Sequence, residues 1–209
     1  MRTIAILPVK SFGRAKQRLT GGFPDRPGLA AAMVGDVLDA LAQVPELDGV
    51  IVVTAQAVST DRRVTIVHDP VETGQSAAAQ RGIEAALQRG AQRVLLVPGD
   101  CPSLDPAEVS ALLAVSAGVV IVPDRHGTGT NSLLLTPPTV IAPAFGEGSF
   151  ERHRALAEAA GASLHVAYAG SLELDVDTPD DLAALRRALG ARPGGARRTR
   201  ALLEEAAVA

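Results

Sequence analysis

The stretch TIAILPVKSFGRAKQRL, residues 3–19, joins a short apolar run to a loop rich in cations. The run Thr3–Val9 has the length and composition of a buried β-strand. Four cations follow it within nine residues: Lys10, Arg14, Lys16 and Arg18. In an α/β protein such a loop leaves the carboxyl end of a strand, where ligands bind, so it is a candidate site for a phosphorylated ligand.

Similar apolar runs recur along the chain, and stretches with helical spacing separate them. The predicted strands are Thr3–Val9, Val50–Thr54, Val64–His68, Val94–Pro98, Val119–Pro123, Asn131–Thr136 and Leu164–Tyr168. The predicted helices are Leu29–Val44, Ser76–Arg89, Pro106–Ala117, Phe150–Ala160 and Pro179–Leu189. This alternation predicts an α/β fold with a mainly parallel sheet and helices on both faces. The loop DRHGTGT before Asn131 is too short for a crossover helix, so the strand Asn131–Thr136 is expected to be antiparallel.

The length and composition favour a single domain. The chain has 209 residues, 47% of them hydrophobic, which is enough for one well-buried core. We place this domain at residues 1–190. Residues 191–209 contain a proline, two glycines and four arginines before a short Ala/Leu/Glu segment, and they are predicted to form a loosely packed C-terminal tail.

Charge and cysteine content exclude several functions. The net charge is −3 and aromatic residues make up 2% of the chain, so no nucleic-acid partner is expected. The first apolar run is too short for a secretory signal or a membrane span, so we expect a cytoplasmic protein with no membrane partner. Cys101 is the only cysteine, which rules out an internal disulfide and a thiolate-rich metal site. Any metal is therefore expected on oxygen ligands.

Lysine is rare, and its two positions lie in one loop. Lys10 and Lys16 are the only lysines among 20 lysine and arginine residues. Their place in a chain otherwise rich in arginine indicates a need for a compact ammonium, which could neutralise a triphosphate and the departing pyrophosphate. Coding chance and a solvated basic turn are the alternatives. The chain has no P-loop and no dinucleotide-binding GxGxxG after a strand, so P-loop kinases and Rossmann dehydrogenases are disfavoured.

Asp100 is the first acid that is a candidate metal ligand. It ends a predicted strand in the segment VPGDCPSL, residues 97–104, where an oxygen ligand can hold Mg²⁺. A turn-forming role is the alternative, and it is the commoner one for an isolated aspartate between turn residues. The neighbouring Asp105 and Pro106 are better explained as a helix cap and the first helical position.

Asp175 and Asp177 form a second acidic candidate in the segment ELDVDTPDDL, residues 173–182. In an extended segment, residues two apart point to the same side, so the two carboxylates face one point while Leu174 and Val176 face the core. Adjacent carboxylates repel unless a cation lies between them, and Mg²⁺ is the expected cation. The residues Thr178, Pro179 and Asp181 instead predict the start of a helix.

Two glycine-containing loops offer hydroxyls and flexible backbone. They are DRHGTGTN, residues 124–131, and FGEGSF, residues 145–150. The second leads into a predicted helix whose N-terminal amides suit an anion. An ordinary glycine turn is the alternative for each loop. Nearby cationic and imidazole side chains are candidates for binding an acid, namely Arg125, His126, His153 and Arg154. The four histidines show no zinc spacing.

Taken in order, five segments resemble the guanylyltransferase family that builds the side chain of the deazaflavin coenzyme of archaea and actinobacteria. They are LPVKSFGRAKQRL, PGDCPSLDP, DRHGTGTNSLL, FGEGSFERH and LDVDTPDDL, and the resemblance extends to about Leu189. It implies a nucleotidyltransferase fold of the glycosyltransferase-A kind. It also implies that GTP condenses with phosphoenolpyruvate or 2-phospho-L-lactate to give a guanosine diphosphate-linked acid, which a downstream transferase consumes. A homodimer is a further expectation.

The resemblance also implies roles for individual residues. The acid substrate is expected at Thr130, Gly146 and Ser149, and Mg²⁺ at Asp100, Asp175 and Asp177. The nucleotide is expected at Lys10, Arg14, Lys16, Gly74, Gly99 and Asp100, with Lys10 and Lys16 as the catalytic cations and Arg14 and Arg18 assisting. Many relatives of the wider superfamily open with a Gly-Gly phosphate cradle, whereas this chain has Pro8 there, which lacks an amide donor. Side chains are therefore expected to bind more of the phosphate.

The expected reaction is in-line attack of the acid's phosphate oxygen on the α-phosphorus of GTP, without a covalent enzyme intermediate. The identity of the acid stays open, because phosphoenolpyruvate, 2-phospho-L-lactate and 3-phosphoglycerate differ by small groups. Composition favours phosphoenolpyruvate. The alternatives are a glycosyltransferase, a sugar-phosphate or molybdenum-cofactor nucleotidyltransferase with the same fold, and a nucleotide-binding module without turnover.

Overall fold

The computed structural model describes residues 1–14, 16, 19, 23–56, 64–192 and 194–208, with only the backbone at 14, 207 and 208. The described residues form seven strands: β1 (Thr3–Pro8), β2 (Gly49–Thr54), β3 (Val64–His68), β4 (Arg93–Leu96), β5 (Val119–Pro123), β6 (Thr130–Leu135) and β7 (Leu164–Val166). The described residues also form the helices α1 (Arg26–Leu41), α2 (Gln75–Gln88), α3 (Pro106–Leu113), α4 (Ser149–Ala159), α5 (Gly170–Glu173), α6 (Pro179–Ala191) and α7 (Arg197–Val208). A short 3-10 turn covers Phe12–Arg14.

The strands form one sheet in the order β3-β2-β1-β4-β6-β5-β7. Strands β1 to β4 run parallel to one another, and β6 is antiparallel to both of its neighbours, β4 and β5. The carboxyl ends of β1 and β4 therefore lie at the same edge as the beginning of β6. The single-domain α/β class, the mainly parallel mixed sheet and the antiparallel strand are all confirmed.

Each face of the sheet is covered by a separate apolar layer. Helices α1 and α3 pack on one face through residues such as Val37, Leu41 and Leu112, and α2 and α4 cover the other through Ile83 and Ala157. The helix α2 lies very close to β1, since a Cβ added at Gly82 would be 2.3 Å from Cγ2 of Ile6. Only glycine fits this approach without displacing the Ile6 side chain.

The C-terminal residues differ from the loosely packed tail that the sequence predicts. Helix α7 packs against α1 and α6, with Leu203 buried and Thr199 fully enclosed. The buried carboxylate of Asp36 on α1 accepts hydrogen bonds from the backbone N–H groups of Arg198 (3.0 Å) and Thr199 (2.8 Å). An acid at the first turn of a helix satisfies orphan amides and complements the helix dipole, so the segment is anchored.

The predicted helices and strands are otherwise present, with ends shifted by a few residues. Helix α3 ends at Leu113, four residues before its predicted end. In the described part of the chain, the short helix α5 and helix α7 are present although the sequence analysis does not predict them. Within the described part of the chain, no helix combines the length and the apolar character needed to cross a bilayer.

Candidate functional site

At the carboxyl edge of the sheet the structure brings together one lysine and three aspartates. The ammonium of Lys16 lies 2.5 Å from Oδ2 of Asp100 and 3.0 Å from Oδ1 of Asp177. Asp100 follows β4, and Asp177 precedes α6, so three separate segments meet at this point. We refer to Lys16, Asp100, Asp175 and Asp177 as the carboxylate cluster.

The charge of Lys16 is fixed by its two partners. Burial alone would lower the pKa of this ammonium, but the carboxylates of Asp100 and Asp177 raise the pKa above its ordinary value. Lys16 also has a left-handed backbone, with φ of 57°, which costs a non-glycine residue about 1 kcal/mol. A strained residue held by two ion pairs is typical of a site where a charge must be placed accurately.

Asp175 joins the cluster through its neighbours rather than through Lys16. Burial and the negative charges of Asp100 and Asp177 raise its pKa, while a hydrogen bond from Asn131 favours its charged form. The backbone N–H of Val176 donates to the carbonyl of Asp100 (3.2 Å) and so holds this segment beside the end of β4. Val176 is fully buried, so the predicted alternation of acids and core residues is present.

A β-bulge in β6 directs Asn131 into the cluster. Strand β5 pairs Val122 with Ser132 and Pro123 with Thr130, so Asn131 is the extra residue. Its side-chain amide donates to the Leu172 carbonyl (2.9 Å) and to Oδ1 of Asp175 (3.2 Å). Bulges commonly redirect side chains next to active sites, and this one has that effect.

The donor chemistry of the carboxylate cluster fits Mg²⁺. All three acids offer oxygen ligands, and among the described side chains Lys16 is the cation that pairs with two of them, which leaves their negative charge partly uncompensated. Among the described side chains, however, no three acids, histidines or cysteines are grouped closely enough to hold a metal as they stand. The Lys16 ammonium lies between two of the three candidates, so the metal assignment of Asp100, Asp175 and Asp177 remains a prediction.

A second group of side chains lies where β6 meets α4. The hydroxyl of Ser149 accepts the backbone N–H of Thr130 (2.9 Å), and Oγ1 of Thr130 lies 2.9 Å from Nδ1 of His153. All three residues are buried, with exposures of 1%, 6% and 0% for Ser149, Thr130 and His153. We refer to these three residues as the hydroxyl cluster. The predicted Gly146 is beside it, because its carbonyl accepts the N–H of Ser149 (3.0 Å).

Gly74 and Gly99, predicted to contact the nucleotide, lie at the same edge of the sheet. Gly74 is the N-cap of α2 and makes no side-chain cap, and the start of this 14-residue helix is a suitable place for an anion. Gly99 lies between β4 and Asp100, and a Cβ there would be 3.0 Å from Val34. The hydroxyl of Ser76 in α2 accepts the N–H of Phe145 (2.9 Å), so the starts of α2 and α4 are connected.

The remaining residues predicted to bind or assist with the nucleotide are Lys10, Arg14 and Arg18. Lys10 is exposed at the end of the first strand, and the side chain of Arg14 and all of Arg18 lie outside the described residues. The adjacent Ser11 is tied to Glu72 through its N–H (2.5 Å) and its hydroxyl (2.8 Å), which joins the loops after β1 and β3. The roles predicted for Lys10, Arg14 and Arg18 stay predictions.

The candidate acid-binding cations take other positions. Arg125 pairs with Asp181 (2.6 Å), the residue that forms a capping box with Thr178 at the start of α6. This contact connects the loop after β5 to the segment that carries Asp177. Arg154 pairs with the exposed Glu151. The structure therefore gives these arginines acidic partners, whereas His153 joins the hydroxyl cluster.

Cys101 is not a candidate nucleophile, although it follows Asp100. Its side chain is fully buried, and burial together with Asp100 and Asp175 raises the pKa of the thiol well above its ordinary value. The protonated thiol lies near the Leu172 carbonyl (3.5 Å). A covalent enzyme intermediate at this residue is therefore disfavoured.

Comparison with known proteins identifies the family to which this chain is similar. The model of the family described as guanylyl transferase CofC-like matches residues 3–187. A phosphoenolpyruvate guanylyltransferase of Conexibacter woesei is 49% identical, with 98% of this chain and 96% of the relative covered. A protein of the same name from Sphaerobacter thermophilus is 38% identical, with coverages of 88% and 93%.

Solved structures support the fold. A nucleotide-diphospho-sugar transferase, so described provisionally, from Desulfovibrio desulfuricans superposes with a TM-score of 0.77 at 18% identity, covering 98% of this chain and 95% of the other. A nucleotidyl transferase of Methanothermobacter has a TM-score of 0.63 at 18% identity, with coverages of 91% and 99%. At this identity the similarity concerns the fold alone, and the family match carries the activity class. The chain is a nucleotidyltransferase that belongs to the CofC-like guanylyl transferase family.

Proposed function

We propose that this enzyme transfers the guanylyl group of GTP to phosphoenolpyruvate, in the presence of Mg²⁺, within deazaflavin coenzyme biosynthesis. The products are pyrophosphate and a guanosine diphosphate-linked acid, which a downstream transferase consumes. The names of the relatives support phosphoenolpyruvate over 2-phospho-L-lactate as the acid.

One observation carries the proposal: two consecutive residues link the two clusters. Thr130 belongs to the hydroxyl cluster, and Asn131 reaches Asp175 of the carboxylate cluster because of the bulge in β6. A neutral group of donors and a charged group of acids thus each contact one of two neighbouring residues of β6. This is the arrangement that joining two anions requires, since one must be positioned and the other must have its charge neutralised.

The hydroxyl cluster suits the acid substrate. The Ser149 hydroxyl already accepts the N–H of Thr130, so its own proton is available to a substrate oxygen. Ser149 also begins α4, whose positive dipole end favours an anion, while the N–H groups of Ser149 and Phe150 already donate to the carbonyls of Gly146 and Thr128. Gly146 has φ of 114°, a conformation that a residue with a Cβ rarely adopts, and it turns the loop toward this helix start.

The carboxylate cluster suits the reacting triphosphate. An ammonium has three N–H donors, and two of those on Lys16 are used by Asp100 and Asp177, which leaves one for a phosphate oxygen. When bound, Mg²⁺ supplies charge neutralisation at the phosphates, and Asp100, Asp175 and Asp177 are the residues that would hold it. The nucleophile is an ionised phosphate oxygen, so the chain needs no general base. The bond from this phosphate oxygen to the α-phosphorus of GTP forms as the bond from the α-phosphorus to pyrophosphate breaks.

The test is a pyrophosphate-release assay on the purified chain with GTP and MgCl₂. Phosphoenolpyruvate, 2-phospho-L-lactate and 3-phosphoglycerate are compared, with glucose 1-phosphate as a sugar-phosphate control. We expect the highest kcat/KM with phosphoenolpyruvate and no release after chelation of the metal with EDTA. Mass spectrometry of the product is expected to show the guanosine diphosphate-linked acid.

The alternatives make different predictions in the same assay. Release with the sugar phosphate alone would contradict the proposal and favour a sugar-phosphate nucleotidyltransferase. GTP binding without release under any condition would favour a nucleotide-binding module. Turnover with 2-phospho-L-lactate in preference to phosphoenolpyruvate would retain the reaction class and correct the substrate.

A further inference from the structure

His153 makes two hydrogen bonds that together determine its protonation. Its Nε2 accepts the backbone N–H of Ala144 (2.9 Å), so that nitrogen carries no proton. In a neutral imidazole the proton is then on Nδ1, which lies 2.9 Å from Oγ1 of Thr130. His153 therefore donates to the threonine hydroxyl rather than accepting from it.

The surroundings keep this ring neutral and fixed. His153 has no exposed surface, and the ring of Phe145 packs against its edge with centroids 5.2 Å apart. Burial, with a smaller contribution from the neighbouring Arg152, lowers the pKa of His153 to about 4. At neutral pH the imidazole therefore carries a proton on one nitrogen only. A doubly protonated ring would place an N–H at Nε2 against the N–H of Ala144.

The direction of the Thr130 hydroxyl follows from this. Oγ1 accepts a hydrogen bond from Nδ1–H of His153, so the hydroxyl's own proton is not used in that contact. The N–H of Thr130 is held by Ser149, which fixes the backbone from which the hydroxyl projects. The hydroxyl proton is left to point away from His153 and to meet an incoming ligand as a donor.

We infer that His153 is a positioning residue for the acid substrate, acting through Thr130, which it presents to the substrate as a hydrogen-bond donor. The inference rests on the proposed function, because a donor suits the ionised oxygens of a phosphorylated acid and disfavours ligands that offer only N–H groups. His153 itself touches no substrate in this account. Its effect is on the affinity for the acid and not on GTP.

Two substitutions at His153 separate positioning from packing. Asparagine places an amide donor near the position of Nδ1, so H153N keeps the donation to Thr130 and loses the acceptor for Ala144. Glutamine places a carbonyl near the position of Nε2, so H153Q keeps that acceptor and loses the donation. Each variant loses one hydrogen bond and some packing, so we expect similar losses of thermal stability in the two. A purely structural role therefore predicts equal kinetic effects.

The experiment measures KM for phosphoenolpyruvate, KM for GTP and kcat in the full-length chain. We expect H153Q to raise KM for phosphoenolpyruvate about tenfold, the effect of about one lost hydrogen bond, and H153N to stay within about threefold of the wild type. KM for GTP is expected to stay unchanged in both. H165Q, at an exposed histidine of β7, is the matched control and is expected to behave as the wild type. Equal KM values in H153N and H153Q would overturn the inference.

A double-mutant cycle tests whether His153 acts through Thr130. In T130V the hydroxyl is absent, so adding H153Q is expected to cause no further rise in KM for phosphoenolpyruvate. Independent, multiplying effects of the two substitutions would overturn the inference.

Two measurements separate failure of this inference from failure of the proposed function. In the ¹⁵N spectrum of histidine-labelled protein near neutral pH, the His153 signal, assigned by its loss in H153Q, is expected to show the Nδ1–H tautomer. An Nε2–H or doubly protonated ring would overturn the inference whatever the reaction. The wild type could bind phosphoenolpyruvate in calorimetry and still show no turnover. If that binding then weakens in H153Q, the inference is supported and only the proposed reaction is refuted.

Discussion

The carboxylate cluster and the hydroxyl cluster lie at the same edge of the sheet but differ in charge and in exposure. The first contains four charged groups, and the Asp177 side chain is 45% exposed. The second is neutral, and its least buried member, Thr130, is 6% exposed. Lys16 is the buried member of the first, with its side chain 5% exposed. A change at the aspartates of the first therefore alters charge with less effect on packing, whereas a change in the second alters a buried hydrogen-bond network.

The difference indicates how the work of the site is divided. Charge that remains partly open to water can be rearranged when a cation or a triphosphate arrives. Neutral groups in a dry environment hold one geometry, because an unpaired polar atom there is costly. We expect the carboxylate cluster to determine the rate and the hydroxyl cluster to determine the affinity for the acid.

The largest effect is expected for D175N and D177N. Each removes a negative charge at nearly constant volume, so we expect kcat to fall at least about 100-fold while the thermal unfolding temperature changes little. The matched control is D180N, which changes an exposed aspartate in the same segment and is expected to be silent. Full activity in both D175N and D177N would remove the metal assignment.

A smaller but still large effect is expected for K16R, which preserves the charge. The ammonium lies between two carboxylates at 2.5 and 3.0 Å, on a left-handed backbone, and a planar guanidinium does not fit this point contact. We expect a loss of at least about tenfold in kcat, or about 1.4 kcal/mol of transition-state stabilisation.

The control for K16R is R187K, because Arg187 is exposed on α6, whereas Arg198 in α7 is anchored to Asp36 and Asp39. Steady-state kinetics of the two variants decide the matter. Wild-type rates in K16R would mean that chance, and not phosphate chemistry, explains the position of this lysine.

Much of the fold was predictable because its signals are local. The apolar runs, the Asp105 cap and the Thr178 capping box each depend on a few neighbouring residues, and each is present. The packing of α7 was missed because its anchor is Asp36, which is 162 residues away in sequence from Arg198. A composition rich in arginine and glycine gives no sign of such a partner.

The site was predictable only in part. Lys16, Asp100, Asp175 and Asp177 stood out by residue type and spacing, and the structure brings them together. The contact of Asn131 with Asp175 depends on a bulge, which no pattern of apolar residues reveals. The donor role of His153 depends on a backbone N–H at Ala144, and a sequence contains no record of where that N–H points.

An effect of several-fold is expected for S149A, which tests the hydroxyl cluster. The variant loses a donor for the acid and leaves the buried N–H of Thr130 without its acceptor. We expect KM for phosphoenolpyruvate to rise about fivefold, with KM for GTP nearly unchanged. S163A is the matched control, because that serine also accepts a backbone N–H, from Gly118, but is exposed. A collapse of GTP affinity in S149A would mean that the two pockets are assigned the wrong way round.

The smallest effect concerns pH and stability, and its sign differs between the clusters. The pKa of His153 is lowered from 6.5 to about 4, so between these values the unfolded chain binds more protons than the folded chain. This contribution to stability is complete above the ordinary pKa of histidine and is lost as the pH falls toward 4. Asp175 acts in the opposite direction: its raised pKa means that the folded chain holds its proton more tightly, so acidification favours folding at this residue.

From about pH 7 to about pH 5.5 we expect His153 to account for a loss of about 1 kcal/mol in the free energy of unfolding. Urea denaturation of the wild type and H153Q at both pH values measures the difference, since the other three histidines are common to the two proteins. The same pH dependence in both proteins would show that His153 is not held neutral by its surroundings, and the contrast between a neutral and a charged cluster would fail at this residue.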